Sequence, residues 1–316
     1  MNVELRHLRA LAAIGDEGTI TGAAAVLRVS QPALSRTLDQ LEQRLGTTLV
    51  ERTTRRLALT PEGRRLWEHA HRILTQLDDA LAEAAAGPHP RPLRIGFAWA
   101  ALGSHTVALL RDWRRAHPEL PVQVHRLDDP VAALRRGEID AAFVRTLPEG
   151  GEAAGLRAAA LYREPRVAAL SEDDPLAGRA AVTLADLAER TVVLCATAAT
   201  TGTGLWPQGR GPADTLEVAN VDEWLTAIAT GEAVGVTAEA TRHSHPYPGV
   251  RYLPISGAEP VTVRFLAPAM ATHSATAAFL AHARRSLSDA AAAADPGTGT
   301  DPAAAADAGS PASPAA

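Results

Sequence analysis

Lysine is absent: all 31 basic residues are Arg. A GC-rich coding sequence is enough to account for that, without any functional cause. Cysteine is nearly absent. The single Cys195 excludes an internal disulfide and a cysteine-built zinc cluster. Aromatics make up only 4% of the 316 residues, so Ala, Val and Leu must fill most of the core that a 46% apolar composition allows. No run of 18 apolar residues without charge occurs, so no membrane span is expected. The opening MNVELRHLRA has Glu4 and no apolar run before it, so no secretory signal is expected either. These absences suit a cytoplasmic protein of two or three domains.

A net charge of -5 looks wrong for a nucleic-acid partner until it is divided. Residues 1–72 carry 11 Arg against 8 acidic residues, net +3. Residues 73–316 carry 20 Arg against 28, net -8. A basic head is joined to an acidic body.

In the head, Leu5, Leu8, Leu11, Ala12 and Ile14 form a helical stripe, and Gly15 and Gly18 bracket a turn. Thr19 is placed to cap a short second helix. Ser30 is placed to cap a third, with Pro32 in its first turn and Leu34, Leu38, Leu41 and Leu45 on one face. Two short helices and a tight turn make a helix-turn-helix pattern. Leu49-Val50 and Leu57-Ala58-Leu59 read as two short strands around a basic turn. Arg52, Arg55 and Arg56 there suit DNA phosphates. Gln31, Ser35 and Arg36 lie on the non-leucine side of the third helix. Gln pairs with adenine and Arg with guanine, whereas a helix-start hydrogen bond for Gln31 and a phosphate clamp or plain solvation for Arg36 stand as alternatives. Pro32 is either structural or a contact for a thymine methyl.

Thr60 and Pro61 open a long helix over 61–86, in which Leu66, Ala70, Ile73, Leu77, Ala80 and Ala84 form a heptad seam suited to dimerisation. Pro88, Pro90 and Pro92 then break the chain. From residue 93 strands and helices alternate, beginning with LRIGFA (Leu93–Ala98), which predicts a parallel α/β sheet. A final helix is expected over Ser274–Leu287. Residues 289–316 are rich in Ala, Pro and Gly and read as a disordered tail.

Residues 5–63, LRHLRALAAIGDEGTITGAAAVLRVSQPALSRTLDQLEQRLGTTLVERTTRRLALTPEG, resemble the winged helix-turn-helix of LysR-type transcriptional regulators; VSQPALSRTLDQLEQRLG is the most specific part. The resemblance implies that Gln31, Pro32, Ser35 and Arg36 face the major groove, that Arg52–Arg56 form the wing, and that Thr19 stands near a DNA-backbone contact. It departs at Val50, where the family usually has Phe, and at Gly22, often Arg or another polar residue. LRIGFA, LRRGEIDAAFV, LYREPRVAALSEDDPLA, ATGEAVGVTAE and GVRYLPI resemble, more loosely, the family's effector domain, two α/β lobes similar to periplasmic binding proteins. The implied division is a winged helix-turn-helix over 1–60, a dimerising linker helix over 61–87, a hinge over 88–92, one lobe from 93–165 plus 261–288, and a second from 166–260.

Ligands in such sheets sit beyond the carboxyl ends of strands. Candidate cleft residues are therefore Ala100, Leu102, Gly103, Ser104 and His105 after the first strand, Arg145 and Thr146 after the third, Thr197 and Thr201 after Cys195, and Thr237 after Val236. Free helix-start N–H groups there would favour an anion. Each has a plainer reading: a helix cap for Ser104, surface for His105, a lobe–lobe salt bridge for Arg145, turn residues for Thr197 and Thr201. Cys195 reads as an apolar filler before a redox group, and Asn220 as the cap of the helix carrying Trp224. His243 and His245 have no acidic neighbour in their turn to complete a metal site, so no metal and no cofactor is expected. The stretch ATAATTGTGLWPQGRGPADT departs from the family, leaving open an unusual effector, a more open pocket or weak sensing.

The resemblance implies a dimer or tetramer on an interrupted palindrome, a small-molecule effector, an anion by preference, and contact with RNA polymerase. Competing classes are an enzyme built on the body, a solute-binding protein and an architectural DNA binder. GxGxxG, GxSxG, HExxH and GxxxxGK[ST] are all missing, which argues against the first.

Overall fold

The computed structural model describes residues 3–52, 57–86, 91–148, 153, 155–198, 200–207 and 210–294. The head begins with α1 (Leu5–Glu17), α2 (Ile20–Leu27) and α3 (Gln31–Leu45). Thr19 accepts from the Gly22 N–H at 3.1 Å, and Ser30 accepts from the Ala33 N–H at 3.4 Å. These satisfy donors that a helix start leaves unpaired. Gly46 ends α3 in the left-handed conformation, φ 67°. Strands β1 (Val50–Arg52) and β2 (Leu57–Leu59) pair antiparallel. Leu11, Ile14, Leu34, Leu38, Leu41 and Leu49 are the centre of the head's core.

Helix α4 (Pro61–Ala86) follows, capped by Thr60, whose hydroxyl accepts from the Gly63 N–H at 2.9 Å and donates to the Thr48 carbonyl at 2.9 Å. The predicted seam divides along this helix. Leu66 packs on the head core and Ala70 is fully buried within the chain. Ile73 is 43% exposed, Leu77 is half-buried, and Ala80 and Ala84 are exposed.

The body runs through β3 (Leu93–Phe97), α5 (His105–Ala116), β4 (Val122–Arg126), α6 (Pro130–Arg136), β5 (Ala141–Val144) and β6 (Leu156–Glu164). It continues through β7 (Arg166–Ser171), β8 (Val182–Thr183), α7 (Leu184–Leu187), β9 (Thr191–Cys195), β10 (Asp214–Val218) and α8 (Val221–Ala229). It ends with β11 (Val234–Ala238), α9 (Ala240–Ser244), β12 (Val250–Ser256), β13 (Val261–Pro268) and α10 (Thr276–Ala294). The first lobe has strand order β4-β3-β5-β13-β6 and the second β10-β9-β11-β7-β12-β8. The chain passes to the second lobe after β6 and returns in β13.

Three expectations need correction. The sheets are mixed, not parallel. β13 lies antiparallel to β5 and β6, and β7 antiparallel to β11 and β12. The returning strand enters from the other lobe, so no crossover helix forces a parallel direction. Strand β6 has no local signal, since LRAAALYRE is built from good helix formers; pairing with β13 overrides local propensity. Helix α10 runs to Ala294, six residues into the expected disordered tail, because SDAAAAA sustains a helix already started by packed residues. Residues 295–316 lie outside the described residues.

Candidate DNA interface and interlobe cleft

Helix α3 turns its leucines inward and leaves a polar edge. Leu34, Leu38 and Leu41 are buried, Gln31, Pro32 and Arg36 are exposed, and Ser35 is half-buried. Arg36 folds back, its Nε donating to the Pro32 carbonyl at 3.3 Å, on an exposed surface from which it can swing outward. Thr19 and Ser30 are exposed but already hold helix-capping bonds. The Glu42 side chain of α3 accepts from the N–H groups of Leu49 at 2.7 Å and Val50 at 3.2 Å, fixing where the hairpin starts relative to α3. The Arg52 backbone belongs to β1, its side chain lies outside the described residues, and so do Arg55 and Arg56.

Between the lobes lies a cavity of about 360 Å³. Of the predicted residues it takes Arg145, Thr146 and Thr197. The Arg145 Nε lies 2.9 Å from the Glu164 carboxylate, with side chains only 6% and 4% exposed. The other Glu164 oxygen accepts from the Ala240 N–H of the second lobe. A buried cation and anion are thus matched, and the pair also bridges to α9. Arg145 Nη2 is buried and has no hydrogen-bond partner. Burial first, then the charge of Glu164, pushes the nearby Tyr162 hydroxyl well above its ordinary pKa.

The remaining predicted cleft residues lie elsewhere. Leu102, Gly103, Ser104 and His105 border a separate cavity of about 250 Å³, shared with Tyr162 and His243. Ser104 makes no side-chain cap; the Leu102 N–H donates instead to the Thr106 hydroxyl at 3.1 Å. Ala100 is buried in the second lobe's core. Thr201 spends its hydroxyl on the Val236 carbonyl at 2.7 Å, and Thr237 is buried against Thr241 at 2.8 Å. Both line a void of about 10 Å³, too small for an effector. Asn220 caps α8 through bonds from the Asp222 and Glu223 N–H groups, both 3.0 Å.

Sequence reading missed two cleft walls. Trp99 lies just past β3, with its indole N–H on the Thr241 hydroxyl at 2.7 Å and its ring edge-on to Trp224 at 5.7 Å. It ties the first lobe's loop into the second lobe. Asp128, Asp129, Pro130 and Val131 form the other wall, at the carboxyl end of β4. The strand-end rule would have found both had it been applied to every strand and from the first residue beyond it. Among the described residues no group of three His, Cys, Asp or Glu side chains is placed to hold a metal ion, and no helix is long and apolar enough to cross a membrane.

Comparison with known proteins agrees with this architecture. Residues 5–64 match the family described as bacterial regulatory helix-turn-helix protein, lysR family, and residues 86–288 match the LysR substrate binding domain. The uncharacterized HTH-type transcriptional regulator YnfL of Escherichia coli (strain K12) is 32% identical over 281 residues, covering 84% of this chain and 92% of that protein. The small neutral protease regulatory protein of Streptomyces coelicolor is 35% identical over 283 residues, covering 84% and 81%. The crystal structure of CbnR, a LysR family transcriptional regulator, shares the fold with a TM-score of 0.63 at 23% identity, covering 90% of this chain and 99% of that one. Family and fold are those of transcriptional regulators, not enzymes, and this chain belongs to the LysR family of DNA-binding helix-turn-helix regulators.

Proposed function

We propose that the protein is a regulator of specific genes whose hold on DNA is set by a small molecule in the interlobe cleft. The observation that carries this is the exposed edge of α3, Gln31, Pro32 and Arg36, opposite its buried leucines. Gln31 and Arg36 read base edges in the major groove, Pro32 and Ser35 pack beside them, and Thr19, Ser30, Arg52, Arg55 and Arg56 steady the phosphates. Ile73, Ala80 and Ala84, exposed in the single chain, and the half-buried Leu77 carry dimerisation. Leu66 and Ala70 support the helix from within. A two-fold dimer, or a dimer of dimers, then demands an interrupted palindrome. The working division is a head over 1–60, a linker over 61–87, a hinge over 88–92, and lobes over 93–165 plus 261–288 and over 166–260. The protein acts in the cytoplasm, on the nucleoid, through RNA polymerase.

The effector reading rests on the cleft. Arg145 with its unbonded Nη2, Thr146 and Thr197, joined by Thr200, favour an anion with hydroxyl-accepting oxygens. The effector must bind the two lobe arrangements with different affinities, or it shifts nothing. Selection of sites from random DNA, with mapping on the native chromosome, tests the head. Sharp sites sharing an interrupted palindrome are expected. Broad occupancy without a motif would assign the protein to DNA architecture instead. Thermal-shift screening of the full chain against small carboxylates, with Arg145→Met as control, tests the cleft.

A further inference from the structure

One helix touches both the cleft and the arm that carries the head. The first turn of α6 is cleft wall, its N-terminus capped by Asp129, whose Oδ1 accepts from the Ala132 N–H at 2.9 Å. Its last turn lies on α4. Arg135 reaches Glu68 at 3.5 Å, and the Arg136 guanidinium sits over the Trp67 ring, 5.6 Å from its centroid. Gly137, which ends α6, is so close to α4 that an added Cβ would lie 3.5 Å from the Arg72 backbone. A second cavity, also about 360 Å³, is lined by both α4 and α6 and shares Asp129, Val131 and Thr146 with the cleft.

Trp67 is in turn the residue that grips the head. Its indole N–H is 3.0 Å from Asp16 and 3.2 Å from the Ala12 carbonyl, both in α1. His71, one turn on, meets the same Asp16 at 3.0 Å. Gly15 leaves room for the ring; an added Cβ would fall 2.4 Å from it. Arg136 therefore stands where the three parts meet. Glu138 foremost, and more weakly Asp129 and Asp16, hold its proton.

We propose that α6 is a lever between cleft and head: displacement of its Asp129-capped turn by an occupant of the cleft moves Arg135 and Arg136 on Glu68 and Trp67, and so loosens or tightens α1 against α4. This rests on the reading of the cleft as an effector site. Seven residues of helix span about 10 Å and move as one rigid piece. Arg136 is a positioning residue and touches no ligand itself. Intermediate position alone does not make a coupling, so exchange must be measured directly.

Amide hydrogen exchange on the full chain, without ligand, makes the test. Asp129→Ala removes the cap, and Asp129→Ser keeps one. Asp129→Ala is expected to speed exchange roughly tenfold in residues 130–136 and, with them, in 64–72 and 12–18. Asp129→Ser should stay near the parent. Arg136→Ala should speed 64–72 and 12–18 while sparing 130–133. Faster exchange confined to α6 in Asp129→Ala would overturn the lever. So would a rise of equal size in strand 191–195, since that reports general loss of stability. No ligand enters the measurement, so a failed lever leaves the cleft reading standing, and a cleft without an effector leaves the exchange result unchanged.

Discussion

Arg91 and Asp140 form a forked ion pair, Nη1 to Oδ2 and Nη2 to Oδ1, both at 2.7 Å. Asp140 is wholly buried and also accepts from the Arg94 N–H at 2.9 Å and the Thr272 hydroxyl at 2.8 Å. Arg91 and Arg94 both reach on to Asp79 of α4, at 3.3 and 2.8 Å. The end of the linker helix, through Asp79 and Glu83, is thus pinned to Asp140 of the first lobe by two guanidinium groups.

That clamp has a pH signature. Burial pushes the Asp140 carboxyl up, but the bonds from Arg91, Arg94 and Thr272 outweigh it and hold it at about 2, against 3.8 for a free side chain. Its contribution is complete above pH 3.8 and is lost as pH falls through about 2. The lost share is about 2 kcal/mol. Chemical denaturation between pH 5 and 2 should show a steeper fall for the parent than for Asp140→Asn. At neutral pH, Asp140→Ala takes away the forked partner of Arg91, which keeps Asp79, Glu83 and the Thr272 carbonyl, and leaves the Arg94 N–H and Thr272 hydroxyl without their acceptor; it should cost about 1–3 kcal/mol.

Arg36→Ala should weaken binding to a selected site by about 1–3 kcal/mol if the side chain reads a base. Titrations on specific and random duplexes at one salt concentration decide this. Equal loss on both would place Arg36 on a phosphate.

Gly63 has no room to grow. A Cβ there would lie 1.9 Å from the Leu49 carbonyl oxygen, which itself accepts from the Thr60 N–H at 2.9 Å. Backbone cannot swing aside as a side-chain tip can. Gly63→Ala should separate α4 from the hairpin, lower the head's melting temperature and abolish DNA binding while the body keeps its own unfolding transition. Calorimetry with a DNA-binding assay checks both.

Trp99→Phe removes the indole N–H from the Thr241 hydroxyl and should cost about 1 kcal/mol; Trp99→Ala should cost about 3–5 kcal/mol because it also opens a cavity. Trp99 borders the cleft, so a bound effector should change the parent's tryptophan emission, and the change should vanish in Trp99→Phe. Denaturation curves and fluorescence titration measure the two effects.

Local signals in the sequence were legible where local interactions decide structure. Thr19, Ser30, Thr60 and Asn220 were identified as caps and are caps, because a cap needs only the next two or three residues. Arg145 could be placed beside the cleft because it follows a buried strand. What could not be read was decided by distant partners. Strand β6 depends on β13, about a hundred residues away. Thr201 and Thr237 carried plausible hydroxyls, but the second lobe's own carbonyl and hydroxyl groups claim them. Nothing local marks out Trp67 in α4; its role is fixed by Asp16 and Arg136, far off in sequence in opposite directions.

The placement of β13 has a consequence for synthesis. Among the described residues β6 has no sheet neighbour except β13, and the whole second lobe, from β7 to β12, lies between them in the chain. At roughly 5–20 residues per second on the ribosome, β6 waits several seconds with an open edge. The head's core, drawn from residues near 3–67, is complete long before that. Each nascent chain thus acquires its helix-turn-helix head first and its first lobe last. A message cut short before codon 261 encodes a head with α3 intact and a body that cannot close its first sheet.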